Sequence, residues 1–166
     1  MANYWLISLH PRYASMLSGG SKNIELRRVK PNLKKGDELI VYVTAPTKQL
    51  LGLFEVTEVV GMRPAEMWPI VADNAGISKD EFDSYFADSA IGYGIYLKPS
   101  VIDLPRLRLS EIRCIWNNFH PPQIYRRVSS LEFDLLFGVH RRSSKSPKQL
   151  HRFVYSDHEG DSMKQD

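Results

Sequence analysis

The chain is poor in cysteine: Cys114 stands alone among 166 residues, which excludes an internal disulfide framework and any cysteine-rich zinc site. A reducing, cytoplasmic compartment is the resulting expectation. Long hydrophobic runs are missing as well. No apolar stretch approaches the roughly 20 residues needed to span a bilayer, so no membrane partner is expected. The N-terminus has no charged region followed by an apolar stretch, and no secretory leader is expected. Of five histidines, His10 and His120 lack partners at metal-ligand spacing, and the others fall after residue 138. Gly92 and Gly94 lack the context of a dinucleotide or phosphate loop. No metal site and no cofactor are expected.

What is present suits one ordinary globular domain: 43% hydrophobic, 25% charged and 11% aromatic residues. The formal net charge of +3 gains meaning only when it is located along the chain. Residues 1–60 carry eight Lys/Arg against five Asp/Glu, and residues 61–100 carry three against six. The N-terminal third is therefore basic and the middle acidic. Lys22, Arg27, Arg28, Lys30, Lys34 and Lys35 cluster tightly, which fits either a solvated loop or an electrostatic footprint for phosphate.

Hydrophobic periodicity predicts strands over Tyr4–Leu9, Asn23–Arg28, Glu38–Thr44, Gln49–Val60, Ile91–Leu97 and Leu104–Leu109. Helices are expected over Arg12–Ser18, stopped by Gly19-Gly20, over Glu66–Asn74, and over Ser78–Ala87 with a capping-box pattern. A closing helix over Leu131–Phe137 would be capped by Ser129 or Ser130. The pattern predicts an α+β fold with a small, mostly antiparallel β-barrel and short helices around it. Residues 1–138 form the expected domain. Residues 139–166 read as a polar tail, largely disordered unless bound, in which Leu150, Phe153, Val154 and Tyr155 could dock locally.

The most informative stretch is Gly20–Arg28, GSKNIELRR. Lys22 sits in the turn after the glycines, and Glu25 and Arg27 share one face of the following strand because they lie two residues apart. Such a triad can bind phosphate or a base edge, and a neighbouring lysine and carboxylate can exchange protons. A plain surface ion pair has the same spacing. Tyr42 and Thr44 alternate with Val41 and Val43, so they could present a ring and a hydroxyl to a ligand; an ordinary strand tyrosine fits equally. Trp116–Tyr125 followed by Arg126-Arg127 interleaves aromatic and basic groups in a manner suited to single-stranded RNA, or to a loop packed by Trp116 and Phe119.

The spacing of Gly20, Lys22, Glu25 and Arg27, then Gly36-Asp37, then Val41, Tyr42, Thr44 and Pro46, resembles the ASCH domain of the PUA-like superfamily. Gly52 and Leu53–Val60 continue the pattern, and Pro121-Pro122-Gln123 with Tyr125 resembles an element of longer members. The resemblance implies a small β-barrel with a cleft beside the motif, and RNA or a modified nucleotide as partner. Lys22, Glu25, Arg27, Arg28, Tyr42 and Thr44 are then the expected ligand-binding residues. An enzymatic alternative also follows from the resemblance: hydrolysis of modified nucleosides or of RNA, with Lys22 and Glu25 as the proton-transfer pair. In one subfamily a lysine, a threonine nucleophile and a glutamate remove an acetyl group from cytidine. Lys22 matches the lysine, Glu25 stands where the threonine would be, and Asp73 is the nearest candidate for the glutamate. Without that hydroxyl, acyl transfer has no protein nucleophile. No heptad or extended apolar patch indicates an oligomeric state.

Overall fold

The computed structural model describes residues 3–143, with side chains through residue 138. Its elements are β1 (Tyr4–Leu9), α1 (Pro11–Ser18), β2 (Ile24–Arg27), β3 (Glu38–Val43), β4 (Gln49–Met62), α2 (Pro64–Val71), α3 (Lys79–Phe86), β5 (Gly92–Pro99), α4 (Leu109–Ile115), β6 (Tyr125–Val128) and α5 (Ser130–Ser143). The strands form a six-stranded sheet in the order β2-β5-β4-β3-β1-β6. β1 and β3 run parallel, and the other neighbouring pairs run antiparallel. The fold is α+β, with the mixed sheet curled into a half-barrel. β2 and β6 remain its edges, so the expected barrel is only half closed.

Period-two alternation sorts the strand residues onto the two faces of this sheet. Leu6, Ile40 and Tyr42 pack with Leu50 and Leu53 under Ile112 of α4 and Phe133, Leu136 and Phe137 of α5. Ile7, Leu9, Leu39, Val41, Val43, Val56, Ile95 and Leu97 fill the other face with Ala14 and Leu17 of α1. A third cluster joins Ile24 and Leu26 of β2 to Met67 and Val71 of α2 and Phe82 and Phe86 of α3. Extra residues break the β3–β4 register at Leu51 and the β4–β5 register at Thr57. Such bulges increase local twist, which helps the long β4 to curl.

Two expectations need correction. Leu104–Leu109 is not a strand: a single bridge joins Arg108 to Gln49, and α4 starts at Leu109. Leu104 and Leu107 are buried beneath α4 and α5, so their apolar spacing reflects packing rather than a ladder. The closing helix extends to Ser143, beyond the boundary expected at residue 138. The rest of the expected tail, including Leu150, Phe153, Val154 and Tyr155, lies outside the described residues. Among those described, no helix is long and apolar enough to cross a membrane.

Asp37, 1% exposed, fastens the basic loop after β2 to the start of β1. Its carboxylate accepts from the Trp5 indole at 3.0 Å, the Asn3 side-chain amide at 3.0 Å and the Lys34 backbone N–H at 3.2 Å. Replacing Asp37 by alanine strands the indole and amide donors. Asp37→Ala is expected to cost about 2–3 kcal/mol in urea-denaturation stability.

Candidate functional site

The site begins where β1 hands over to α1. His10 caps the helix, its Nδ1 accepting the Arg12 backbone N–H at 3.2 Å, and Pro11 occupies the first helical turn. After α1, Gly20 turns the chain at φ +78°, a conformation that favours glycine. The Lys22 N–H then donates to the Met16 carbonyl at 3.1 Å, and the Asn23 N–H to the Asn74 carbonyl at 3.1 Å. β2 thus enters the sheet edge with its first residues already tied to α1 and to the loop after α2. Opposite, Gly76 adopts φ +71°; a Cβ there would lie 2.7 Å from the Met16 sulfur and 3.5 Å from Cδ of Lys22. The missing side chain leaves room for the Met16 sulfur, with the lysine stem in ordinary contact beside it.

Glu25 pairs in register with Ile95 and Arg27 with Tyr93. Both charged side chains therefore share the sheet face that carries Ile95, at the open edge of the half-barrel. This face is nearly dry, unlike that of a plain surface ion pair: Lys22 is 4% exposed and Glu25 9%. Lys22 Nζ donates to the carbonyls of Ile24 and, at 2.9 Å, Ala75, and lies 3.3 Å from Oε2 of Glu25. Oε1 of Glu25 takes an Arg27 guanidinium nitrogen at 3.0 Å. Arg27 Nε is buried and has no partner. Burial pushes the Lys22 ammonium below its ordinary range, Glu25 opposes that shift, and Arg27 adds to it.

The three groups line a cavity of about 310 Å³. Its walls come from the end of β1, His10, Tyr13 of α1, β2, Ala75 and Ile77, and Glu81 and Tyr85 of α3. The Lys22 ammonium sits 5.6 Å from the Tyr13 ring centre. Arg12 and Glu81, 2.6 Å apart, connect α1 to α3 beside it. Arg12 and the Ser78 backbone hold the Glu81 carboxyl down at about 2. Among the described residues, no group of three His, Cys, Asp or Glu side chains is placed to hold a metal ion.

Of the expected binding residues, Lys22, Glu25 and Arg27 converge. Arg28 is exposed just beyond them, its guanidinium 4.9 Å from the Tyr85 ring centre. Tyr42 and Thr44 are not part of this cavity. Tyr42 points to the opposite sheet face, 2% exposed against Phe119, where burial raises its phenol pKa. Thr44 lies beyond the end of β3, its N–H donating to the Leu9 carbonyl. Asp73 is exposed in the turn after α2, away from the cavity, and Lys30, Lys34 and Lys35 are exposed on their loop. Trp116 and Phe119 pack edge to face at 5.3 Å against the core, as in the packed-loop alternative. His10, Tyr13, Glu81 and Tyr85 were not expected in the site. Only the proline-marked junction at His10 offered a local signal.

The geometry now stands beside known proteins. A family model described as the ASCH domain matches residues 7–97, which include the whole site. The chain belongs to the ASCH domain family. That family is part of the PUA-like superfamily. This ASCH chain is 26% identical over 118 residues to an ASCH domain-containing ribonuclease of Zymomonas mobilis, covering 71% of this chain and 79% of that protein. The crystal structure of ASCH from Zymomonas mobilis matches it with a TM-score of 0.73 at 24% identity, over 80% of this chain and 92% of that one. A shorter similarity, 32% over 82 residues, links 49% of this chain to 26% of the large ribosomal subunit protein uL22 of Ureaplasma parvum.

Burial makes Lys22 testable through pH. The folded chain releases the Lys22 proton at lower pH than the unfolded chain, whose value is near 10.5. Between those two values the unfolded state binds more protons, so stability rises with pH across that window. Lys22→Met should cost about 3–5 kcal/mol at neutral pH, because Glu25 loses a partner and two carbonyls lose their donor. Chemical denaturation should show wild-type stability, relative to that variant, climbing as pH approaches 10.5. A flat or falling difference contradicts the buried ammonium.

Proposed function

We propose that this ASCH domain binds single-stranded RNA, accepting one nucleotide unit in the cavity beside Lys22, Glu25 and Arg27. The observation that carries the reading is the buried ion network with the Arg27 guanidinium, its side chain 16% exposed, lining the cavity. Arg27 has donor capacity left for an anion, and charge-assisted contacts of that kind are the strong ones. Glu25 is held from both sides and keeps lone pairs free to accept from a base amino group. Lys22 has a different role from the phosphate contact expected of it. Its three donors are engaged by Ile24, Ala75 and Glu25, so it orients the carboxylate. Tyr13 and Tyr85 supply aromatic walls on which a base can stack. The cavity volume falls at the lower end of the range for small-ligand sites, about 300–1,000 Å³. Arg28, Lys30, Lys34 and Lys35 steer the polyanion.

The test is salt-dependent binding to short single-stranded RNA. Arg27→Ala should weaken binding by roughly ten- to a hundredfold, the range of one charge-assisted contact, and flatten the salt slope by about 0.7. Unchanged affinity in that variant sinks the reading.

A second reading, cleavage of the bound RNA, draws support from the Zymomonas mobilis relative named as a ribonuclease. It assigns proton transfer to Glu25, with Lys22 holding and charging it. Glu25→Gln should then abolish turnover of a fluorogenic RNA while the substrate still binds. Turnover indifferent to that substitution, or none at high protein concentration, removes the enzymatic reading.

A further inference from the structure

The cavity has a neighbour. A second hollow of about 430 Å³ is lined by Arg27, Arg28, Val29, Tyr85, Ile124 and Tyr125. Arg27 and Tyr85 line both cavities, so the two share a wall. The second one differs in chemistry. It has no carboxylate among its lining side chains, which are two cations, two aromatic rings and two aliphatic groups. Val29 and Ile124 are 73% and 56% exposed, so the hollow offers accessible apolar surface beside its two arginines.

The rings here are held rather than loose. The Tyr85 hydroxyl reaches the Leu26 carbonyl at 3.5 Å, and its ring packs edge to face on Phe86 at 4.9 Å. The Tyr125 hydroxyl accepts the Asn32 backbone N–H at 3.3 Å, and its ring meets Trp5 edge to face at 5.8 Å. Arg28 lies over Tyr85. Rigid rings with a guanidinium at their margin form a platform for a nucleobase, because every base offers a π-face and its phosphate lies a short distance away.

We infer that the Arg27–Tyr125 hollow is a second nucleotide subsite, so that the ligand of this ASCH domain is a dinucleotide step of single-stranded RNA rather than a free nucleoside. The inference rests on the RNA-binding reading of the first cavity and adds the length and direction of the ligand's path. One base enters beside Glu25, and its neighbour lies on Tyr85, Ile124 and Tyr125. The phosphodiester between them crosses the shared wall. There the Arg27 side chain, 16% exposed, lines both cavities, and Arg28 supplies a second cation. A linking phosphate at that point gains charge-assisted contacts from the two guanidinium groups, which a nucleoside without phosphate does not. The acceptor-bearing first cavity and the carboxylate-free second one also divide the work: the first reads base edges, and the second stacks without reading.

The experiment is a length series of 2′-O-methyl oligocytidylates, one to four residues long and 5′-phosphorylated, titrated against the full chain; cytosine carries the amino group that Glu25 accepts from, and the methyl groups prevent cleavage. The dinucleotide should bind at least about tenfold more tightly than the mononucleotide, the effect of one stacked base. Further residues should add much less. Ile124→Asp puts a negative charge in the second hollow and should erase the dinucleotide's advantage while leaving mononucleotide affinity unchanged. Its thermal unfolding, matched to wild type, excludes a folding defect. Arg28→Ala should shrink the same advantage and its salt dependence. Measurable mononucleotide binding with a flat length series overturns the second subsite and leaves the RNA-binding reading standing. No binding at any length overturns both. A length advantage that survives Ile124→Asp moves the second base elsewhere and also overturns the inference.

Discussion

An ammonium group out of water is the constraint on which the site depends. Taking a lysine head group into a protein interior costs several kcal/mol unless its hydrogen bonds and charge are satisfied there. Lys22 is satisfied by two backbone carbonyls and one carboxylate, drawn from two separate pieces of chain: Ile24 and Glu25 of β2, and Ala75 in the loop after α2. The charge therefore acts as a fastener. Ala75 cannot retreat without stranding the ammonium, and Glu25 cannot swing outward without leaving both Lys22 and Arg27 unbalanced. Gly76, at φ +71°, leaves room for the Met16 sulfur of α1 next to the lysine stem.

The sheet provides the place for this network. β1 and β3 run parallel at the centre, and the connection through α1 carries the chain across to the far edge, where β2 pairs with β5. On the central strand β3, buried along its length, the one charged residue is Glu38 at its first position. An edge strand on a curled sheet offers one paired side and one open side, so Glu25 and Arg27 can be largely buried and still line a cavity. α1 and α3 close the opening from either side, joined by Arg12 and Glu81. Site and fold are thus coupled through the sheet edge rather than through a loop appended to it.

Much of this was legible locally. β1, α1, β2 and β3 follow from alternation and glycine stops, and α3 follows from Ser78 and Glu81, whose reciprocal capping is present. Lys22, Glu25 and Arg27 converge because their spacing and the turn before them are local properties. The remainder is hidden by physics that spacing does not carry. Alternation in β3 cannot say which face of the sheet borders the cavity, and Tyr42 lies on the other one, in the core beneath α4 and α5. The apolar rhythm of Leu104–Leu109 is real, with backbone hydrogen bonds from Leu50 to Leu107 and from Leu109 to Lys48. The Arg108–Glu111 capping interaction then turns the chain into helix before a second bridge forms. Tyr85 and Glu81 lie some sixty residues from the motif, and only tertiary packing brings them to it.

The same geometry separates the roles of three residues that spacing treats alike. Burial lowers the pKa of Lys22, which by itself suggests a base. A neutral amine, however, has only two N–H donors, and here three acceptors converge on Nζ. Deprotonation would leave one of them unmatched in a place where an unpaired acceptor is costly. Hydrogen-bond count thus opposes what desolvation favours, and Lys22 is better suited to orienting Glu25 than to exchanging protons with solvent. In the RNA-binding reading, Glu25, with its spare lone pairs, is the acceptor. Arg27, a cavity-lining guanidinium held by Glu25, is in that reading the group that meets an incoming anion.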